Sequence, residues 1–290
     1  MTVLLLLLAH LIADFWLQSD QMVKNKIKHL KKHLFHHLLT TGIALAIIWG
    51  YQYEFQHIIS YFILPLAFIM ITHLLIDLSK IKLVDSIPNS TTDNMKRLGY
   101  FLLDQVLHVI MILITCILFF SMKVTEMTAS LLDLYGTSSL SVVNTVLLLI
   151  IIYILATSVS GHIVKYIIGS LPSELANFEG ELTLNNQIKA RQEKNQPRTE
   201  SSFTEKYHYF TYSTPLRSRG KLIGYIERLL VIILTVIGAY PSIAFIIAAK
   251  SIARFKQLDD RNWAEYFLLG TLSSIFLGLV LGLVVQGIIM

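Results

Sequence analysis

The chain has 290 residues, of which 54% are hydrophobic and only 15% charged. A soluble domain carries about 25% charged residues, and several apolar runs here approach or exceed the roughly 20 residues that cross a bilayer. Composition therefore excludes an ordinary soluble enzyme and predicts an all-α, polytopic transmembrane helical bundle. The net charge of +5 calls for no nucleic acid, because the lysines and arginines cluster beside the apolar runs, as expected of loops that face anionic lipid.

The first apolar run, residues 2–18, has no basic segment before it and reads as an uncleaved helix. Lys24, Lys26, Lys28, Lys31 and Lys32 follow and mark a cytoplasmic loop, which puts the N-terminus outside. A second span starts near His33 and ends near Trp49, and the next loop, 51–57, lacks lysine and arginine and reads as external. Span three covers 58–78, with Lys80, Lys82, Lys96 and Arg97 in or beside an internal loop that Pro88-Asn89-Ser90 marks as a turn. Span four covers 98–120, and span five, 140–168, returns the chain to the inside. The only sizeable polar stretch, 171–221, reads as a cytoplasmic loop or small subdomain. The apolar run 223–249 is broken by Gly238-Ala239-Tyr240-Pro241. A hairpin at that break keeps Lys250, Arg254, Lys256 and Arg261 inside. The last span covers 263–288, and its Gly278-x-x-x-Gly282 is a weak close-packing signal. In all, roughly seven to eight membrane segments are expected. They group into a four-helix unit at 1–122, a fifth helix with its preceding loop at 123–170, the polar stretch, and C-terminal helices from 222 to 290.

Each of the first four spans carries a pair of ionisable residues at i, i+4: His10/Asp14, His33/His37, His73/Asp77 and Asp104/His108. Residues at that spacing share one side of a helix, a turn apart. Ionisable side chains within a span are costly and usually face a bundle interior and serve a function. With the alternating topology, all eight fall within roughly 15 Å of the cytoplasmic boundary at 1.5 Å per residue. Four helices presenting His and Asp at one depth is how bundle-core metal sites are built. The mixed ligand set suits zinc, iron or manganese, zinc first, better than calcium or magnesium. Eight candidates allow one ion with supporting residues or two ions with a shared Asp. Gln18 and Gln105 lie on or beside the stripe and can support ligands by hydrogen bonds, whereas His36 lies about 100° around the helix from His37. Lys24, Lys80, Lys250 and Arg254 are candidate anion-binding residues. Lys250 and Arg254 equally suit anchoring at headgroups or pairing with Glu227 or Glu265, and Glu227-Arg228 reads as a mutual interfacial pair.

The block His10-x-x-x-Asp14-Phe15-x-x-Gln18, followed by Lys24 and His33-x-x-x-His37, resembles an uncharacterised bacterial and phage membrane family, domain-of-unknown-function family 3307. His73-x-x-Ile76-Asp77 with Lys80, and Asp104-Gln105-x-Leu107-His108, continue the likeness. Motifs at 223–228, 249–254 and 265–271 are similar to the C-terminal half of its longer members. The family implies a bacterial cytoplasmic-membrane protein and brings no activity. A looser likeness is to membrane-bound metal-dependent hydrolases.

The expected function is a metal-dependent hydrolase at the cytoplasmic leaflet, acting on an anionic lipid or lipid-linked substrate. Metal-bound water would be the nucleophile, with Asp14 or Asp104 accepting the proton. The alternatives are a metal-ion or proton transporter using the same residues, and a structural metal in a membrane scaffold. No nucleotide-binding loop, nucleophile elbow or CxxC motif is present.

Overall fold

The computed structural model describes residues 1–85, 94–125, 141–169, 216–259 and 261–289. The side chains of Asp20, Lys24, Asp85, Gln257, Ile289 and residues 216–219 are not among those described. The expected turn at Pro88, most of the loop before span five and all but the end of the polar stretch 171–221 lie outside these residues.

The described residues are helical, without a strand. Helix α1, Thr2–Leu11, runs into a π-helical turn at Ile12–Trp16. A short α2, Asp20–Lys24, leads to α3, Lys26–Tyr53. A second π turn, Ile59–Ile63, opens α4, Leu64–Asp85, and α5 spans Asn94–Phe120. Helix α6, Val142–Ile154, continues through a third π turn, Leu155–Val159, into α7, Ser160–Ile168. The C-terminal helices are α8, Leu216–Val236, α9, Tyr240–Ala253, and α10, Arg261–Ile289. Among the described residues, five helical stretches are long and apolar enough to cross a membrane: Lys26–Tyr53, Ile59–Val84, Asn94–Phe120, Val142–Ile168 and Arg261–Ile288. Thr2–Trp16 and Tyr240–Ala253 are apolar but shorter.

Helices α1, α3, α4 and α5 close into a four-helix unit, α1 touching α3 and α5, and α4 touching α3 and α5. Leu6, Ala9, Ala44, Leu45, Ile48, Ile112, Cys116 and Phe120 fill one half of it. The other half holds the polar pairs. Helix α3 begins earlier than the apolar pattern implied, at Lys26. Lysine is a good helix former and nothing between Lys26 and His33 breaks a helix, so the lysine segment is the first two turns of the span.

The break at Gly238 is a helix–turn–helix hairpin. Gly238 takes a φ of 72°, and the N–H groups of Ala239 and Gly238 return to the carbonyls of Leu234 and Thr235 at 2.8 and 3.0 Å. This is the Schellman ending that favours glycine, and Pro241 then starts α9 where its missing N–H costs nothing. Lys250 reaches back to Glu227 at 2.7 Å, so α8 and α9 run antiparallel.

Helix α10 packs on α8 through Gly278 and Gly282. A Cβ on Gly282 would stand 2.6 Å from Thr235 Cβ, and one on Gly278 would stand 3.0 Å from Val231 Cγ1, so the two glycines set the approach of the helices. The expected Glu227–Arg228 pair does not form. Consecutive helical residues point about 100° apart. Glu227 goes to Lys250 while Arg228, buried, donates to the carbonyls of Ala156 and Thr157 and to Ser274 Oγ. The π turn of α6 offers Arg228 those carbonyls, and the contact ties α6, α8 and α10 together.

Candidate metal centre

The four polar pairs meet. Their helices alternate in direction, so the end of α1, the start of α3, the end of α4 and the start of α5 lie together. His10, His33, His37, His73, Asp77, Asp104 and His108 are buried, and the side chain of Asp14 is 10% exposed. Asp14 sits within the π turn of α1, where Leu17 N–H bonds to Ile12 carbonyl at 3.0 Å. Such turns recur at functional sites.

Asp14 Oδ1 lies 2.9 Å from His37 Nε2 and 3.3 Å from His33 Nε2. His33 Nε2 also stands 3.3 Å from Asp77 Oδ2 and 3.3 Å from His73 Nε2, and His73 Nε2 is 3.4 Å from Asp77 Oδ2. The imidazoles are packed ring to ring, with centroids 3.7 Å apart for His37 and His73, and 4.4 Å for His73 and His108. Two sets of donor atoms converge. Asp14, His33, His37 and His73 form one, and His73, Asp77 and His108 the other, each with its ligand atoms within 4.8 Å of one another. His73 belongs to both.

His108 shows how a donor is oriented. Its Nδ1 faces the Asp104 main-chain carbonyl at 2.8 Å, so that nitrogen carries the hydrogen and Nε2 keeps its lone pair. Nε2 has no hydrogen-bond partner. A ring whose far nitrogen is held by a carbonyl is the usual arrangement of a metal-binding histidine. His10 stands outside both sets, stacked on His108 with centroids 4.7 Å apart and its Nε2 3.6 Å from Asp14. His36 is half-buried and also outside them.

Asp104 belongs to neither set. Lys80 is ion-paired to its Oδ2 and Gln105 donates to the same atom at 3.2 Å, while Oδ1 has no hydrogen-bond partner. Gln105 Nε2 also donates to Asp14 Oδ2 at 3.0 Å, linking the two carboxylates. Gln18 lines a cavity beside His33 and Asp77. Of the candidate anion-binding residues, Lys80 is engaged by Asp104, Lys250 by Glu227, and Arg254 lies over the Trp263 ring at 5.2 Å. The Lys24 side chain lies outside those described. Two residues escaped the sequence reading. Lys26 Nζ is 3.7 Å from Asp77 Oδ1; its i, i+7 relation to His33 was the available signal once the helix is known to start there. His162, on α7, packs its ring against Phe15 and Phe101 beside the site, and no motif marked it.

Two cavities flank the donor sets. One, about 20 Å³ of water-accessible interior, is lined by His10, His37, His73 and His108 together with Leu6, Thr41, Ile69, Thr72, Met111 and Ile112. That is room for about one water. The other lies on the α2 side.

The fold and site define an all-helical membrane protein with a His/Asp cluster in its N-terminal four-helix unit. Residues 2–135 match the model of a protein of unknown function (DUF3307). The expected resemblance to family 3307 is thus shown over the part of the chain that carries all four pairs, and the match ends before the C-terminal motifs. No curated protein and no solved structure matches the chain.

Proposed function

We propose that the chain is a metal-dependent hydrolase of the bacterial cytoplasmic membrane, with its N-terminus outside. Its site would open toward the cytoplasmic leaflet and act on an anionic lipid or lipid-linked substrate. The observation that carries this reading is the pair of donor sets sharing His73. Histidine nitrogens and one carboxylate each suit zinc, with manganese or iron as substitutes, and two sets leave room for two ions. Bound there, zinc supplies a Lewis acid and a water nucleophile near neutral pH.

The chain's own residues complete the site. Asp104 is the proton acceptor: it is outside both sets, its Oδ1 has no hydrogen-bond partner, and Lys80 with Gln105 fixes the other oxygen. Asp14, the other candidate acceptor, belongs to the four-donor set, and this reading makes it a ligand instead. His10 packs against both neighbouring rings, stacked on His108 and tilted against His37, and so helps to order them. The cavity lined by His10, His37, His73 and His108, with room for about one water, would hold the nucleophilic water of this reading. Transport needs a polar path through the other half of the unit, and the apolar cluster around Leu45, Ile48 and Cys116 fills that half.

The test is detergent-purified full-length protein incubated with a total polar lipid extract, with zinc or with chelator, and followed by mass spectrometry. A lipid species should be consumed only by zinc-loaded protein, and Asp104→Asn should abolish that while keeping the metal. Loss of no lipid under any condition, with zinc bound, refutes the enzyme.

A further inference from the structure

Gln105 stands between two carboxylates that the site uses differently. It is half-buried on α5, one position after Asp104. Its Nε2 is 3.0 Å from Asp14 Oδ2 and 3.2 Å from Asp104 Oδ2. An ionised carboxylate only accepts hydrogen bonds, so the nitrogen of the amide must face both, one hydrogen for each. The consequence for Asp14 is that its two oxygens face different ways. Oδ1 faces the histidines, 2.9 Å from His37 Nε2 and 3.3 Å from His33 Nε2. Oδ2 is turned to the amide, and His10 Nε2, at 3.6 Å, is beyond hydrogen-bond distance of it. The set of Asp14, His33, His37 and His73 therefore offers histidine nitrogens and a single carboxylate oxygen.

We propose that Gln105 sets the metal preference of this four-donor set by holding Asp14 to one ligand oxygen. Four donors with nitrogen in the majority suit tetrahedral zinc. Manganese favours octahedral, oxygen-rich coordination, and a carboxylate that turns both oxygens to the ion moves a site in that direction. Asp14 Oδ2 can turn to the ion only by leaving the amide, which costs a charge-assisted hydrogen bond. The amide is held in place from its other side. Lys80 is ion-paired to Asp104 Oδ2, which fixes that oxygen where the second amide hydrogen meets it. Gln105 is a positioning residue, because it acts on the ion through Asp14. This assignment rests on the metal reading above.

The experiment measures the affinities of zinc and of manganese for detergent-purified full chain, each by competition with a chromophoric chelator and read at the tightest site. Gln105→Met keeps the length of the side chain and removes its donors. Zinc binding by this variant should weaken about tenfold or more, the range for a residue that supports a ligand. Manganese binding should hold or strengthen, so the preference for zinc over manganese should fall by about tenfold or more. A merely structural role would weaken both ions alike. Val106→Ala, at the exposed next position, should match wild type. If Gln105→Met does not fold, Gln105→Asn takes its place, since it keeps an amide but is too short to reach both carboxylates. A zinc-to-manganese preference that is unchanged or higher in the variant, whether the two affinities hold or fall together, overturns the role of Gln105 and leaves the metal site standing. Wild type that binds neither ion overturns the metal reading itself.

Discussion

His73→Ala is the substitution that tests the donor sets most sharply, because His73 is their shared member. Its loss reduces the set of Asp14, His33, His37 and His73 from four donors to three, and the set of His73, Asp77 and His108 from three to two. His37→Ala affects only the first set and His108→Ala only the second. Removing a residue that merely supports a ligand costs about 10–100-fold in affinity, so loss of a ligand should sit at or above the top of that range. Zinc content by elemental analysis, with competition by a chromophoric chelator for affinity, should show His73→Ala depleted at both positions. His37→Ala and His108→Ala should each retain one. His36→Ala, outside both sets, should bind as wild type. Full zinc content in His73→Ala refutes the shared-donor geometry. Equal and total loss in His37→Ala and His108→Ala refutes two separable positions.

Other substitutions test the frame around the site. Gly282→Val should lower thermal stability in detergent by about 2 kcal/mol or more, the scale of overpacking, because even a Cβ there would meet Thr235 Cβ at 2.6 Å; an unchanged melting midpoint would mean that α8 and α10 do not pack through this face. Arg228→Met should destabilise by about 2–4 kcal/mol, because it removes donors from the carbonyls of Ala156 and Thr157 and from Ser274; if Arg228→Met melts like wild type, the buried arginine does not tie the helices. Cysteines placed at Gln52 and Lys256 should differ toward an impermeant thiol reagent in intact cells, only the first reacting; the reverse result would invert the topology and move the site to the other leaflet.

How much of the fold and site was legible in the sequence depended on how local the signal was. Helix class, the i, i+4 pairs and the break at Gly238 are set by neighbours within a turn or two, and they read directly. The convergence of the pairs follows from alternating helix direction alone, which is why Asp14 and His37, 23 positions apart, could be placed together without coordinates. Partner choice is a different matter. That Lys80 goes to Asp104, that Lys26 lies beside Asp77 and that Arg228 turns to the π turn of α6 all depend on helix rotation and on where α3 begins. An apolar pattern places a span where hydrophobicity starts, and the lysine turns ahead of His33 are polar but still helical. The π turns at Ile12–Trp16 and Leu155–Val159 shift the register of the residues C-terminal to them, and an apolar run carries no mark of such a turn.

The charges of the cluster argue for a cation at a particular place. Asp14, Asp77 and Asp104 meet in one region, and only Lys26 and Lys80 among the described lysines reach them, one to Asp77 and one to Asp104. Asp14 has no ammonium; it is surrounded by His10, His33, His37 and the Gln105 amide. A buried carboxylate without a full counter-charge is strongly disfavoured. The carboxylate without an ammonium partner is the one inside the four-donor set. If a cation completes the set, Asp14→Asn should keep the fold and lose the metal. If instead the histidines balance Asp14 by holding protons, Asp14→Asn should relieve the cluster of its counter-charge without any change in bound zinc. Zinc content at fixed pH separates the two, and equal zinc in Asp14→Asn and wild type would decide for the protons.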